Sequence, residues 1–570
     1  MSPSQPRSAS TSARVNPAQP APGLPKPHDG GGANLDEPKV LIADNNALCE
    51  IILNREKAIN ALDTDMVRGI SGALARVGYA RQHSVILLRA TSSSRGLCSG
   101  GDVLKVVNMA DSKDGSERQG ALDFFQEEFQ LDWRIAKLGE EVITGTNAEA
   151  RPIVSYMDGI TMGGGVGLSV HAPFRVATEK TMFAMPETGI GYFPDVGVTR
   201  VLSRLDGRIG TYLGMTGERI TGEEAYLAGL ATHFVPSSML ESLTEALATL
   251  QPGASAKQVA ATIEEYTVDP FSSANSKGGD IWSKTALVGD ARVAMDYVFG
   301  QPTVEAVMAA LSELTSGNVA SAQAASEIKQ HLGVDVSASP AITAWARKTL
   351  ATLQSKSPRS LKVTLQAINN EARHLNVDQS FAFDMRVATA FCDLTIGRDF
   401  YEGVHHVLSK DPKTGKRREG RAPWSPSEIK DVDDKLMKEL FFADTKTARA
   451  AGLTMDVPRL VGPRQAGASE QSSSTERKAH VIGPAEWEPE FNALHPLPAE
   501  AELEALLHGS HPASGSYQID LSNQAEAVKE LVGTLQSWRS SKTGAGYAFG
   551  LESKVTDWVE RRAKDATKRH

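Results

Sequence analysis

MDGITMGGGVGLSVHAPFRVATEKTMFAMPETGIGYFPDVG, residues 157–197, decides how the rest of the chain is read. Three consecutive glycines, Gly163, Gly164 and Gly165, stand between an apolar strand-like piece, Ile153 to Met157, and a run of small residues with helical character. Backbone N–H groups can approach a ligand closely where side chains are missing, so such a turn suits an anion or a developing oxyanion. Glycine clusters also make plain turns, and the cluster alone does not choose between the two readings. Downstream, Glu187 and Asp195 sit among Pro, Gly and aromatic residues and supply two carboxyls that chemistry could use.

Upstream, the same order occurs once before. Ser84 to Ala90 is a short apolar run of buried-strand type, followed by Gly96, Ser99, Gly100, Gly101 and Asp102 and then by the apolar-periodic VLKVVNMA. One N–H from each of two strand-glycine-helix turns can converge on a single oxygen and stabilise the oxyanion formed when a thioester or carbonyl is attacked. Between the turns, Gly120 to Leu138 reads as a helix with Phe124, Phe125, Phe129, Leu131 and Ile135 on its apolar face. Glu127 and Glu128 point about 100° apart on it and cannot share a face. By residue chemistry both belong in solvent, with room for one to turn inward. The stretch Gly139 to Ala150 then reads as an extra loop placed to cover part of the site.

Working outward, VLIADNNALCEIILN from Val40 is a β-hairpin about Asp44-Asn45-Asn46, and Asp63 is an N-cap for a helix bearing Met66, Ile70, Leu74 and Val77. The 570 residues exceed one ordinary domain, and 41% hydrophobic with 23% charged residues is a globular balance. A net charge of -9 argues against a general nucleic-acid surface. The basic turn Lys410 to Arg421 reads as a solvated loop, with CoA phosphates or RNA as other uses. Cys49, Cys98 and Cys392 are too few and too scattered for a disulfide framework or a zinc site, and Cys392 reads as a core thiol. No apolar run approaches the roughly 18 residues of a membrane span, so no membrane partner is expected. Residues 1–37 are rich in Ser, Pro, Ala and Gly without an acid before Asp29, which fits a disordered tail or a mitochondrial transit peptide.

Taken together, LNREKAINAL (53–62), LCSGGD (97–102), FFQEEF (124–129), the opening stretch, GLATHFV (229–235), SPRSLKVTLQAI (357–368) and DFYEGVHHVL (399–408) resemble the enoyl-CoA hydratase/isomerase (crotonase) superfamily, and within it the 3-hydroxyisobutyryl-CoA hydrolases of mitochondrial valine catabolism. The resemblance runs from about Lys39 to Phe442. It implies an α/β fold, a crotonase-like spiral of ββα units with a helical C-terminal region. It also implies an acyl-CoA substrate whose thioester oxygen lies between the amides of Ser99 and Gly164, with the backbone of Lys57 and Ala58 along the CoA. Glu187 is implied as nucleophile or general base, Asp195 as the second working carboxyl, and Glu128 as the acid that contacts the substrate's hydroxyl. Hydratases of the superfamily carry a Glu where Gly167 stands, so two-glutamate hydration is disfavoured. Other departures are Glu56 for a common Pro, Ser99 for a common Ala, and His405 where an Arg is usual. No metal or redox cofactor is implied, since CoA is part of the substrate.

The resulting division is a tail at 1–37, a catalytic core at 38–250, a helical region completing it at 251–442, a linker at 443–490 and a helical extension at 491–570. Within 251–442, helices are predicted at 304–314, 341–354, 361–375 and 384–394. Two amphipathic helices are predicted in the extension, one through Ala525, Leu531 and Trp538 and one through Val555, Trp558 and Val559. Thioester hydrolysis does not need such an extension, which suggests a partner. A small-subunit component of fungal mitochondrial ribosomes resembles the same hydrolases, so a ribosomal contact is the rival expectation, with homo-oligomers left open.

Overall fold

The computed structural model describes residues 14–17, 38–271, 281–316, 339–372, 375–411, 414–442, 497–514, 518–543 and 548–566. The linker reading and, apart from 14–17, the tail reading lie outside these residues. Arg14–Pro17 (β1) is an edge strand inside the stretch read as disordered, pairing antiparallel with Val40–Asn45 (β2). A proline at the end of a short edge strand is tolerated because the outer edge donates to no neighbour.

The hairpin forms as read, from β2 and the fully buried Leu48–Leu53 (β3). From β3 the main sheet continues in parallel through Val85–Ala90 (β4), Ile153–Met157 (β5), Phe174–Ala177 (β7) and His233–Phe234 (β10). A second sheet joins Ile160–Met162 (β6), Met182–Ala184 (β8) and Ile220–Thr221 (β9). Parallel pairing needs crossovers, and the helices Thr64–Val77, Gly115–Thr144 and Gly164–Val170 supply them. The Asp63 side chain caps the first of these, accepting from the Met66 amide at 3.0 Å. A single parallel bridge, Cys98 to Thr161, brings the first glycine turn against the strand leading into the second, and another, Leu62 to Gly101, ties it to the segment before Asp63. The triple glycine therefore leaves β6 of the small sheet, not β5 directly.

Two sequence expectations change here. The helix read as Gly120–Leu138 runs for 30 residues, Gly115–Thr144, so the expected covering loop at 139–150 is half helix. Val142 and Ile143 extend the pattern, and the helix stops at Gly145, which takes φ 65°. The helix read from Asp384 begins at Val377, behind an Asn376–Gln379 capping box.

The C-terminal extension holds three described helices, Glu500–Leu507, Gln524–Thr543 and Leu551–Ala566, where two were expected. Leu503, Leu506, Leu531, Leu535, Val555 and Val559 belong to the same continuous apolar core as β3 and the helices Thr64–Val77 and Gly115–Thr144. The extension is thus built into the fold. Helix Leu551–Ala566 lies on helix Gly289–Phe299, and the Gly289 amide donates to Asp557 at 2.8 Å. No helix of the described residues is long and apolar enough to cross a membrane.

Candidate active site

The two glycine turns meet, but not through the amide first expected. Ser99 donates its N–H to the Ile59 carbonyl at 2.9 Å and its hydroxyl to Ala58 at 3.2 Å. An oxyanion donor has to be unengaged, so the Ser99 amide is not one. Two residues on, the Gly101 amide has no acceptor among the described residues, and neither has the Gly164 amide, which opens its helix where N–H groups lack intrahelical partners. Oε1 of Glu128 fixes their proximity. A methyl on Gly164 would collide with that oxygen, and a methyl on Gly101 would lie 3.8 Å from it. The sequence clue was available, since Gly101 as well as Ser99 belongs to the LCSGGD turn.

Lys57 and Ala58 lie on the single-turn helix Glu56–Ala58, tied to the first glycine turn by the Ser99 bonds. Just beyond, Ile59 and Asn60 adopt φ of 49° and 53°, which is strained for a β-branched residue. Asn60 holds the bend, accepting from the Arg55 amide at 2.7 Å and donating to the Leu97 carbonyl at 3.0 Å. His405 bonds Asn108 at 2.9 Å and Ser409 at 3.0 Å and so joins helix Asp399–Leu408 to helix Val103–Ala110.

Glu128 and Glu127 divide as their 100° separation requires. Glu127 forms a two-pronged pair with Arg68 at the surface, at 2.7 Å for each bond, while Glu128 is buried. Glu187 opens a short helix, Glu187–Ile190, and its Oε1 would lie 3.1 Å from a methyl on Gly163. The SPRSL and DFYEG motifs hold that turn from outside. Ser357 donates its amide to Thr188 at 3.2 Å and its hydroxyl to Asp399 at 2.6 Å, and Gly403 lets helix Asp399–Leu408 press on Ile190. Asp195 precedes Val196, again β-branched at positive φ, 55°. His171 bonds the Val196 carbonyl at 2.7 Å, and Asp384 accepts from the Gly197 amide at 2.6 Å and from Thr199 at 3.1 Å, which clamps this turn.

Sequence reasoning missed Asp132, Asp384 and Lys356. Asp132 lies one turn beyond Glu128 on the same helix, fully buried. A methyl on Gly167 would collide with its Oδ2, so the space left by the absent hydratase glutamate is filled by a carboxyl from another helix. The i, i+4 spacing to Glu128 was the available signal. Lys356 Nζ lies 3.2 Å from where a methyl on Gly189 would sit, close behind Glu187.

Burial dominates the electrostatics. It drives the carboxyls of Glu187 and Glu128 well above the ordinary range, and Asp195 adds to both shifts. Asp132 is raised by burial, by Glu128 and by Asp195, and Asp384 by burial and Asp195. Asp195 itself rises to about 7, again through burial; the Tyr192 hydroxyl facing it works the other way, without well-formed hydrogen-bond geometry. The Lys356 ammonium pulls Glu187 back down. Oε1 of Glu128, Oε2 of Glu187 and both oxygens of Asp132 have no hydrogen-bond partner among the described residues. Tyr192, which faces Asp195, is stacked on Phe400 at 4.4 Å and on Phe125 at 5.4 Å. Unpartnered carboxyls beside two unengaged amides are equipped to bind a carbonyl, activate a nucleophile and move protons.

Among the described residues, the group whose ligand atoms could surround a metal ion is Asp44, Cys49 and His83, on the β2–β3 hairpin and the approach to β4. Asp44 accepts from the thiol, which burial pushes up to about 12, and lies 3.2 Å from His83 Nε2. It shares no residue with the carboxyl cluster.

The model of the enoyl-CoA hydratase/isomerase family matches residues 48–441. Small ribosomal subunit protein mS47 of Neurospora crassa is 34% identical over 401 residues, covering 70% of this chain and 70% of that protein. The mitochondrial 3-hydroxyisobutyryl-CoA hydrolases of Xenopus laevis and Rattus norvegicus are also 34% identical, covering 69% and 71% of this chain and 85% and 88% of theirs. Among solved structures, a carnitinyl-CoA dehydratase from Mycobacterium thermoresistibile superposes with a TM-score of 0.55 at 28% identity, covering 72% of this chain and 98% of the other. An enoyl-CoA hydratase from Rhodobacter sphaeroides gives 0.52 at 26%, covering 73% and 99%.

Proposed function

The chain belongs to the enoyl-CoA hydratase/isomerase family, and from that premise we propose that it hydrolyses the thioester of 3-hydroxyisobutyryl-CoA to 3-hydroxyisobutyrate and CoA, in mitochondria, as a step of valine catabolism. The observation that carries this reading is the set of buried, unpartnered carboxyls gathered at two glycine turns with unengaged amides. A glutamate at 187 combined with glycine at 167 suits attack at the thioester carbon better than paired-glutamate hydration.

In the proposed route the thioester oxygen sits between the amides of Gly101 and Gly164. Glu187 either attacks the thioester carbon, giving an acyl-enzyme anhydride that water then opens, or deprotonates the water that attacks. Both forms place negative charge on the same oxygen, where two amide donors contribute several kcal/mol, about 3 each by the cost of deleting one. Asp195, whose pKa is raised to about 7, carries a proton to the departing thiolate. Glu128 accepts a hydrogen bond from the substrate's 3-hydroxyl. The backbone of Lys57 and Ala58 lines the CoA. The chain's own groups suffice for each step.

Thiol release from 3-hydroxyisobutyryl-CoA, followed with purified wild type beside Glu187→Gln, tests the reading: the wild type releases CoA and the variant does not. Absence of release by the wild type defeats it. Similarity to mS47 over 70% of both chains favours a second reading, that the protein also contacts the small ribosomal subunit. Co-sedimentation of the endogenous protein with small subunits tests that role, and its absence from those fractions removes it. Truncation after Phe442 is not a clean control, because the extension's helices belong to the core.

A further inference from the structure

Glu128 and Asp132, four residues apart on helix Gly115–Thr144, project from one face a turn apart. Their contacts keep step along the facing helix, with Glu128 against Gly164 and Asp132 against Gly167. Those glycines are three residues apart, about 4.5 Å along the axis at 1.5 Å per residue. Glu128 therefore stands beside the unengaged amides, and Asp132 stands roughly one short acyl chain deeper. There its carboxyl occupies the place of a residue-167 side chain, next to Val196 in the Asp195 turn. Both of its oxygens lack a partner among the described residues although the residue is fully enclosed. Leaving a buried polar group unpaired costs about 1–3 kcal/mol, so packing alone gives no reason for a carboxyl here, and a polar group on a bound molecule does.

We propose that Asp132 is a specificity-determining residue of the acyl pocket, donating a hydrogen bond to a hydroxyl on the acyl chain while Glu128 accepts one from that same hydroxyl. An alcohol has one donor and two acceptor lone pairs and can satisfy both carboxyls at once. Four acids facing one another do not ionise together. Burial, then Glu128 and Asp195, keep Asp132 well above the usual carboxylate range, so it retains the proton it donates. The ligand class is a short-chain acyl-CoA bearing a hydroxyl. Its deoxy counterpart leaves both carboxyls unpaired and is rejected for that reason.

This inference rests on the hydrolase reading proposed above. It is tested by measuring kcat/KM for 3-hydroxyisobutyryl-CoA and isobutyryl-CoA with wild type, Asp132→Asn and Asp132→Leu. The wild type prefers the hydroxylated thioester. Asp132→Asn, whose amide still donates, keeps that preference within about threefold. Asp132→Leu reduces it by roughly 10- to 100-fold. Should the leucine variant not fold, Asp132→Ala serves the same comparison without crowding Gly167. An unchanged preference in an active Leu or Ala variant overturns the role of Asp132 and leaves the hydrolase reading standing. No thiol release by the wild type overturns both.

Discussion

Two buried clusters of ionisable groups among the described residues are built on opposite plans. At the glycine turns, Glu128, Asp132, Glu187, Asp195 and Asp384 lie near one another, with the Lys356 ammonium as the cation that acts on Glu187. Where the C-terminal helices meet the core, Asp206, Asp296, Glu500 and Asp557 alternate with Arg292, Lys554 and Arg561. Arg292 reaches Asp296 at 2.9 Å and Glu500 at 3.2 Å, Arg561 reaches Glu500 at 2.7 Å and Asp557 at 2.9 Å, and Lys554 reaches Asp206 at 2.9 Å. The consequences appear in the acids. Arg292 and Arg561 outweigh burial and draw Glu500 down to about 2, whereas burial and like charge push Glu187 and Asp132 up. Paired charges fix the extension to the core. Unpaired acids hold free energy in reserve for a ligand.

The sharpest way to break this contrast is one substitution in each cluster. Glu187→Gln, which keeps shape and removes the ionisable group, is expected to lower kcat for thioester hydrolysis by about 10³-fold or more while leaving the thermal midpoint at or above that of the wild type. Steady-state kinetics and calorimetry on the same preparation decide it, and a variant that keeps most of its rate would strip Glu187 of its role. Arg292→Met should do the reverse. It leaves the partly buried Asp296 without its cation and Glu500 with Arg561 alone, and denaturant unfolding should show a loss of about 3 kcal/mol. Adding Glu500→Leu should recover part of that loss. A single variant as stable as the wild type would mean that the network does not anchor the extension.

The same contrast explains what was legible in the sequence. The triple-glycine turn, Glu187 and Asp195 lie within one 41-residue stretch, and the first glycine turn, the hairpin and the Asp63 cap follow from local rules, so all could be read directly. Asp132 was signalled only by its i, i+4 spacing to Glu128, because its importance comes from facing Gly167 across two helices. The Ser99 amide was misassigned because the sequence does not reveal that the Ile59 carbonyl takes it. The extension was misread as an appendage for a related reason. Its apolar positions show amphipathic helices but not the core they join, nor that Glu500 and Lys554 meet Arg292 and Asp206 more than 200 residues upstream.

A subtler test of the site's strain uses Asp195. Its pKa lies near 3.8 in the unfolded chain and about 7 in the folded one. Between those values the folded state holds a proton that the unfolded state releases, so stability falls as pH rises from about 4 to 7 and then levels. Asp195→Asn removes this cost. The variant should match the wild type near pH 4 and exceed it by about 2–4 kcal/mol at pH 8. Urea titrations at the two pH values measure the gap, and a gap that fails to widen with pH contradicts the ionisation assigned to Asp195. Catalysis should meanwhile fall, and the acidic limb of the surviving kcat/KM profile should shift to lower pH, because Glu187 loses a negative neighbour that raises its pKa.

Lys356 gives the smallest expected effect and the most exact one. Its ammonium lies behind the Glu187 turn and opposes the burial and like charge that raise the Glu187 pKa, while its own pKa is lowered by burial in spite of Glu187 and Glu218. If the acidic limb of kcat/KM reports Glu187, Lys356→Met must move that limb to higher pH, because the charge that lowers the Glu187 pKa is gone. Asp195→Asn moves it the other way, so the double variant should fall between the two. A limb that stays fixed in both single variants would detach it from Glu187. A limb that moves only with Asp195 would instead make the site an acid cluster with no working cation, as unlike the C-terminal network as two buried regions of one chain can be.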